Sequence, residues 1–151
     1  MIVGTGPLEM ELQTLTRDLG LEKRVRFAGK MDALGLMEAY AAADCFVLPN
    51  ADNPETGDTE GFGIVFGEAA AHGLPVVGGK AGGTAHSIRD GETGFRVDGT
   101  NAQDVADAVR RIVQDGANAR VYGEAGRQMA LREFRWAGRT KRFKEILFAH
   151  L

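Results

Sequence analysis

The chain has 151 residues, 44% of them apolar, with a net charge of −3 and a sequence pI near 5.6. That length predicts a single domain, residues 1–151, with a core that needs no staples. The charge argues against nucleic-acid binding, and no apolar run approaches the roughly 18 residues of a membrane span.

One cysteine, Cys45, excludes an internal disulfide framework and points to a reducing, cytoplasmic setting. The three histidines are scattered, with no metal-ligand spacing, so no metal is expected. Glycine is the anomaly: 21 residues, 12 of them between Gly57 and Gly99, neither periodic nor low in complexity. Glycines concentrated between apolar segments point to loops that bring backbone close to a ligand.

Met1-Ile2-Val3 reads as the tail of a buried strand that runs into a turn, Gly4-Thr5-Gly6-Pro7. Pro7 suits a first helical position. Leu8, Leu12, Leu15 and Leu19 follow at helical spacing up to Gly20. Val25 and Phe27 alternate as a short strand, and Asp32 caps a helix with Leu34, Met37 and Ala41 on its apolar face. Cys45-Phe46-Val47-Leu48 is a continuous apolar run, expected as a strand buried on both faces and stopped by Pro49.

Ala51 to Gly61 is a polar, acidic loop. A helix is predicted from near Phe62 to His72, with Gly73 ending it. Pro75-Val76-Val77 and Gly94–Val97 are strands, separated by the loop Gly78–Gly83 and a short helix over Thr84–Ile88. Asn101 and Asp104 form a capping pair for a helix with Val105, Ala108, Val109, Ile112 and Val113 on one face. Helices over Asn118–Arg132 and Arg135–His150 close the chain, the second with Phe143, Leu147 and Leu151 four residues apart. Strands alternating with helices predict an α/β, Rossmann-like parallel sheet with helices on both faces, whose ligands bind at the carboxyl ends of the strands.

The segment with the most chemistry is Glu60-Gly61-Phe62-Gly63-Ile64-Val65-Phe66-Gly67-Glu68. Two carboxylates flank a glycine-rich helix start. The first turn of a helix has unpaired N–H groups and a partial positive charge, and Gly61 and Gly63 remove side chains that would keep a phosphate away. Eight residues of helix rise about 12 Å, roughly the reach from a sugar across a pyrophosphate to a ribose. A carboxylate facing that ribose is a good acceptor for its two hydroxyls. The pattern favours a nucleotide diphosphate-sugar.

Glu60-x7-Glu68 with Ala69-Ala70-Ala71-His72-Gly73-Leu74-Pro75-Val76-Val77 resembles the signature of family 4 retaining glycosyltransferases. Further stretches resemble that family in order: Val3–Pro7, Val25–Gly29, Ala43–Pro49, Gly91–Val97 and Phe134–Trp136. The context Asp58–Gly63 is most similar to its GDP-mannose users.

The resemblance implies the C-terminal, donor-binding half of a GT-B fold, a UDP- or GDP-sugar as substrate, and an acceptor sugar, lipid or small molecule. It implies Glu60 at the donor sugar near the anomeric centre and Glu68 on the ribose. Backbone of Gly61, Phe62, Gly63, Ile64 and Val65 would lie against phosphate or sugar oxygens. Lys30 and Met31, just after the Phe27 strand, would lie against the base, and Gly4 and Gly6 are expected among the donor-binding residues. No metal is implied.

The N-terminal domain and the first, central strand of the C-terminal one have no counterpart here, so a fragment is expected, with little catalysis of its own. A non-catalytic nucleotide-sugar-binding module and a GT-B-type epimerase or phosphorylase fragment are the other readings.

His86 stands where the resemblance puts an acid. It reads as a surface residue, His72 as a helix C-terminal residue and Cys45 as core. The basic stretch Arg132–Lys144 reads as a solvated face or as a contact for an anionic membrane surface.

Overall fold

A computed structural model describes residues 1–149; His150 and Leu151, expected at the end of the last helix, lie outside the described residues. The chain divides into two compact units, residues 1–41 and 42–151.

In the first unit the two predicted strands shrink to a single parallel bridge, Ile2 to Phe27. Ile2 N–H donates to the Arg26 carbonyl and Ala28 N–H to the Ile2 carbonyl, each at 2.8 Å. Helix α1 (Glu9–Asp18) begins two residues beyond Pro7 and ends before Gly20, which takes φ +65°. Its leucine stripe is present but exposed, with Leu8 58% and Leu19 61% accessible. One bridge is too little sheet to cover a helix face. Helix α2 (Ala33–Ala41) is capped as expected: the Asp32 carboxylate accepts from Gly35 N–H at 2.8 Å.

The second unit is built on three parallel strands, β1 (Phe46–Leu48), β2 (Val76–Gly79) and β3 (Gly94–Val97), in the order β1-β2-β3. Phe46 stands opposite Val76, and Val76 opposite Gly94. β2 is central and wholly buried. β1 is an edge with one neighbour, so Val47 stays 37% exposed rather than buried on both faces. Cys45, at its start, packs on the core, and burial followed by the nearby Asp44 charge pushes its thiol pKa up.

Successive residues of β2 face opposite sides. On the Val77 side lie Val97, Ala108 and Ile112, the last two from α5 (Ala102–Gln114). Asn101 caps this helix, accepting from Gln103 and Asp104 N–H, while Val113 stays exposed. On the other side Gly78 faces Phe66 of α3 (Ile64–Ala71) and Ile88, which follows α4 (Thr84–Ser87).

Helix α6 (Gly116–Met129) packs on α3 through small residues: a Cβ on Gly126 would lie 3.4 Å from the Ala70 Cβ. A π-helical turn, Ala130–Phe134, leads into α7 (Trp136–Phe148). Phe143 and Leu147, expected as its apolar face, are exposed together with Trp136, and no residue of α7 is buried.

Candidate functional site

The carboxyl edge of the three strands is assembled from backbone. Asn50, two residues past β1, accepts from Gly79 N–H at 3.0 Å and donates its amide to the Ala81 carbonyl at 3.3 Å. A Cβ on Gly79 would fall 1.6 Å from the Asn50 carbonyl oxygen. Lys80 N–H donates to the Val97 carbonyl at 2.9 Å, so the end of β3 joins the same edge. Only glycine lets the chains approach this closely.

Against that edge lies the Glu60–Gly63 segment. Gly83 N–H donates to the Glu60 carbonyl at 2.9 Å. A Cβ on Gly82 would sit 1.9 Å from the Glu60 carbonyl oxygen, and one on Gly83 1.8 Å from that of Gly61. The buried Ser87 hydroxyl donates to the Phe62 carbonyl. Buried Thr84 donates to the carbonyls of Gly79 (2.8 Å) and Ala81 (3.1 Å), which fixes the loop from beneath.

Gly63 is the N-cap of α3, with φ +70°, and the Phe66 ring fills the space a side chain there would need. The helix therefore starts at Ile64, not near Phe62. Glu68 is four residues inside it, about 6 Å along the axis. Glu60, half-buried, places Oε1 2.9 Å from Gly63 N–H. Of the backbone groups expected to face a donor, the Gly63 amide is thus held by the chain's own carboxylate. The amides of Ile64 and Val65 belong to the first turn, where the helix dipole favours an anion.

Glu68 is exposed on the same helix face as Ile64, one turn apart. Both line a groove of about 520 Å³ with Phe62, Phe134, Trp136 and Arg139. Phe62 and Phe134 meet edge to face at 5.3 Å, and the Arg139 guanidinium lies over the Phe62 ring at 5.3 Å. The groove thus carries aromatic walls with an acid and a guanidinium among its lining groups. His72 is the C-cap of α3, its Nδ1 2.9 Å from the Glu68 carbonyl oxygen. His86 is exposed on α4.

The first unit brings its own predicted residues together: Gly4, at φ +111°, donates its N–H to the Gly29 carbonyl at 2.7 Å, next to exposed Lys30 and half-buried Met31. Gly6 accepts from Glu9 N–H at the start of α1. Asn50, Thr84, Ser87 and Arg139 were not among the predicted site residues; the paired Gly82-Gly83 was the signal of close approach that could have led to the first three. Among the described residues no cluster of acids, histidines or cysteines could hold a metal ion, and no helix is long and apolar enough to cross a membrane.

The family described as glycosyl transferases group 1 matches residues 1–129. A GDP-mannose-dependent alpha-(1-6)-phosphatidylinositol monomannoside mannosyltransferase of Mycolicibacterium smegmatis is 40% identical over 146 residues, 97% of this chain and 38% of that protein. The chain thus spans about two-fifths of that relative's length.

The fold superposes on Anabaena Alr3699/HepE in complex with UDP-glucose with a TM-score of 0.80 at 28% identity, covering 97% of this chain and 40% of the other. It also superposes on the C-terminal domain of a glycosyl transferase group 1 family protein, LpcC, from Francisella tularensis. There the TM-score is 0.73 at 25% identity, over 85% of this chain and 63% of the other.

Proposed function

The chain belongs to the glycosyl transferases group 1 family, and from that premise we propose that it is the donor-binding part of a retaining glycosyltransferase that takes a sugar from a UDP- or GDP-sugar. The observation that carries this reading is the glycine-built edge that fixes Glu60 at the start of α3, with Glu68 one turn inside the helix on its exposed face. The pyrophosphate is assigned to the first-turn amides of α3, where the helix dipole opposes its charge. No metal enters the scheme. Glu68 is assigned to the ribose hydroxyls. Glu60 is assigned to hydroxyls of the sugar, which requires its carboxylate to leave Gly63 N–H. Lys30 and Met31 keep the role that the family resemblance gives them, contact with the base.

Transfer itself is assigned to a longer protein in which a second domain holds the acceptor. A non-catalytic nucleotide-sugar-binding module is the second reading. Turnover of a nucleotide sugar by the chain alone would exclude it.

Calorimetric titration with UDP, GDP and ADP and with their sugar conjugates tests the donor assignment. Weak binding of one nucleoside diphosphate is expected. Hydrogen bonds to a charged group contribute about 1.5–3 kcal/mol, so Glu68→Ala lowers that affinity about tenfold or more. Undiminished binding in this variant defeats the ribose assignment.

An anionic membrane surface is proposed as a further partner. Helix α7 exposes Trp136, Phe143, Ile146 and Phe148 among Arg139, Lys141, Arg142 and Lys144, a surface of interleaved apolar and basic side chains. Co-sedimentation with vesicles containing phosphatidylglycerol is expected to drop severalfold in the double variant Arg142→Glu, Lys144→Glu. Equal recovery on phosphatidylcholine vesicles alone would refute the electrostatic part of this reading.

A further inference from the structure

We infer that Ser87 is a positioning residue for Glu60, acting through the Phe62 carbonyl. The inference deepens the donor reading above and rests on it, because it takes Glu60 as the group that meets the sugar. Gly61 is the joint of this segment, because glycine has the widest backbone freedom of any residue. Left alone, that joint would let the Glu60 carboxylate wander.

The structure pins the chain on either side of it. Before the joint, the Glu60 carbonyl accepts from Gly83 N–H at 2.9 Å. After it, the Phe62 carbonyl accepts from the Ser87 hydroxyl. Both pins come from one short stretch, Gly83–Ser87, anchored below by Thr84. With the backbone held, the Glu60 side chain is the remaining moving part, and it reaches Gly63 N–H at 2.9 Å.

Ser87 is 1% exposed and is followed by Ile88, also 1% exposed. A buried hydroxyl is costly unless paired. Here its partner is a backbone carbonyl 25 residues away in sequence. An alanine at this position would keep the packing and remove only the pin, and a threonine would keep the hydroxyl.

Amide hydrogen exchange reads the pin directly, without ligand. In Ser87→Ala, protection at Gly63 and Gly83 is expected to fall at least tenfold while Val77 and Gly78 of β2 keep theirs; Ser87→Thr restores it. Unchanged protection at Gly63, or an equal loss at Val77, overturns the inference, the second by showing general packing.

Binding gives an independent readout. Glu60 is assigned to the sugar, so Ser87→Ala weakens GDP-mannose or UDP-glucose, whichever binds, at least fivefold and leaves the parent diphosphate unchanged. Equal weakening of both overturns the inference. Failure of the wild-type chain to bind any nucleotide or nucleotide sugar sinks the donor reading instead, and protection at Gly63 and Gly83 then decides the role of Ser87 by itself.

Discussion

Gly82→Ala is expected to destabilise the second unit by about 3 kcal/mol or more and to abolish donor binding, because two separate costs fall on one methyl group. Gly82 has φ +58°, a left-handed conformation that costs an L side chain about 1–2 kcal/mol. The added Cβ would also lie 1.9 Å from the Glu60 carbonyl oxygen and 2.8 Å from the Thr59 hydroxyl. The closest obstacle is backbone, which cannot rotate out of the way as a side-chain tip does. The loop and the Glu60 segment must separate, and Gly83 N–H then loses its 2.9 Å bond to the Glu60 carbonyl.

Gly91→Ala is the control. Gly91 also has positive φ, +74°, but nothing lies within 4 Å of the position its Cβ would take. Only the conformational cost applies there, about 1 kcal/mol. Urea unfolding of the two variants separates the effects. Equal midpoints would show that the approach of Gly82 to Glu60 carries no energy.

The contrast also explains how far the sequence could be read. The three strands of the second unit, the capped α5 and the glycine-rich loops were legible because each has a local cause. The apolar run ending at Pro49, the Asn101 cap and the paired Gly82-Gly83 are examples. The helix predicted from near Phe62 begins two residues later, at Ile64, and the reason is physical. Gly63 at φ +70° cannot continue a helix backwards, and the Phe66 ring fills the space a side chain there would need. Nothing in the local pattern Gly-Phe-Gly-Ile reveals that ring.

The exposed leucines of α1 and the half-exposed β1 show a different limit. Periodicity marks which face wants cover and says nothing about what covers it. At the site, the two acids were legible as types at a spacing. Of the partners that orient Glu60, the Gly63 amide is three residues away, whereas Ser87 acts on a segment 25 residues from it in sequence.

Phe66→Ala is the other change with a large expected effect, about 3–5 kcal/mol in chemical unfolding, the usual range for emptying a buried aromatic position. Phe66 has no exposed surface and meets the Phe46 ring edge to face at 5.8 Å. It also lies against Gly63 and Gly78: a Cβ on Gly78 would stand 3.0 Å from two of its ring carbons and 2.4 Å from the terminal methyl of Ile88.

The phenyl ring and the missing side chain at position 78 are thus two halves of one packing solution. Gly78→Ala alone overpacks the site and costs about 1–3 kcal/mol. In the Phe66→Ala background the same methyl occupies part of the cavity, and the Ile88 tip has room to turn. The double variant is therefore expected to be more stable than the two single losses predict, by about 1 kcal/mol of coupling. Strict additivity would mean that Phe66 and Gly78 do not share this space, and that the glycine at the centre of β2 answers to some other neighbour.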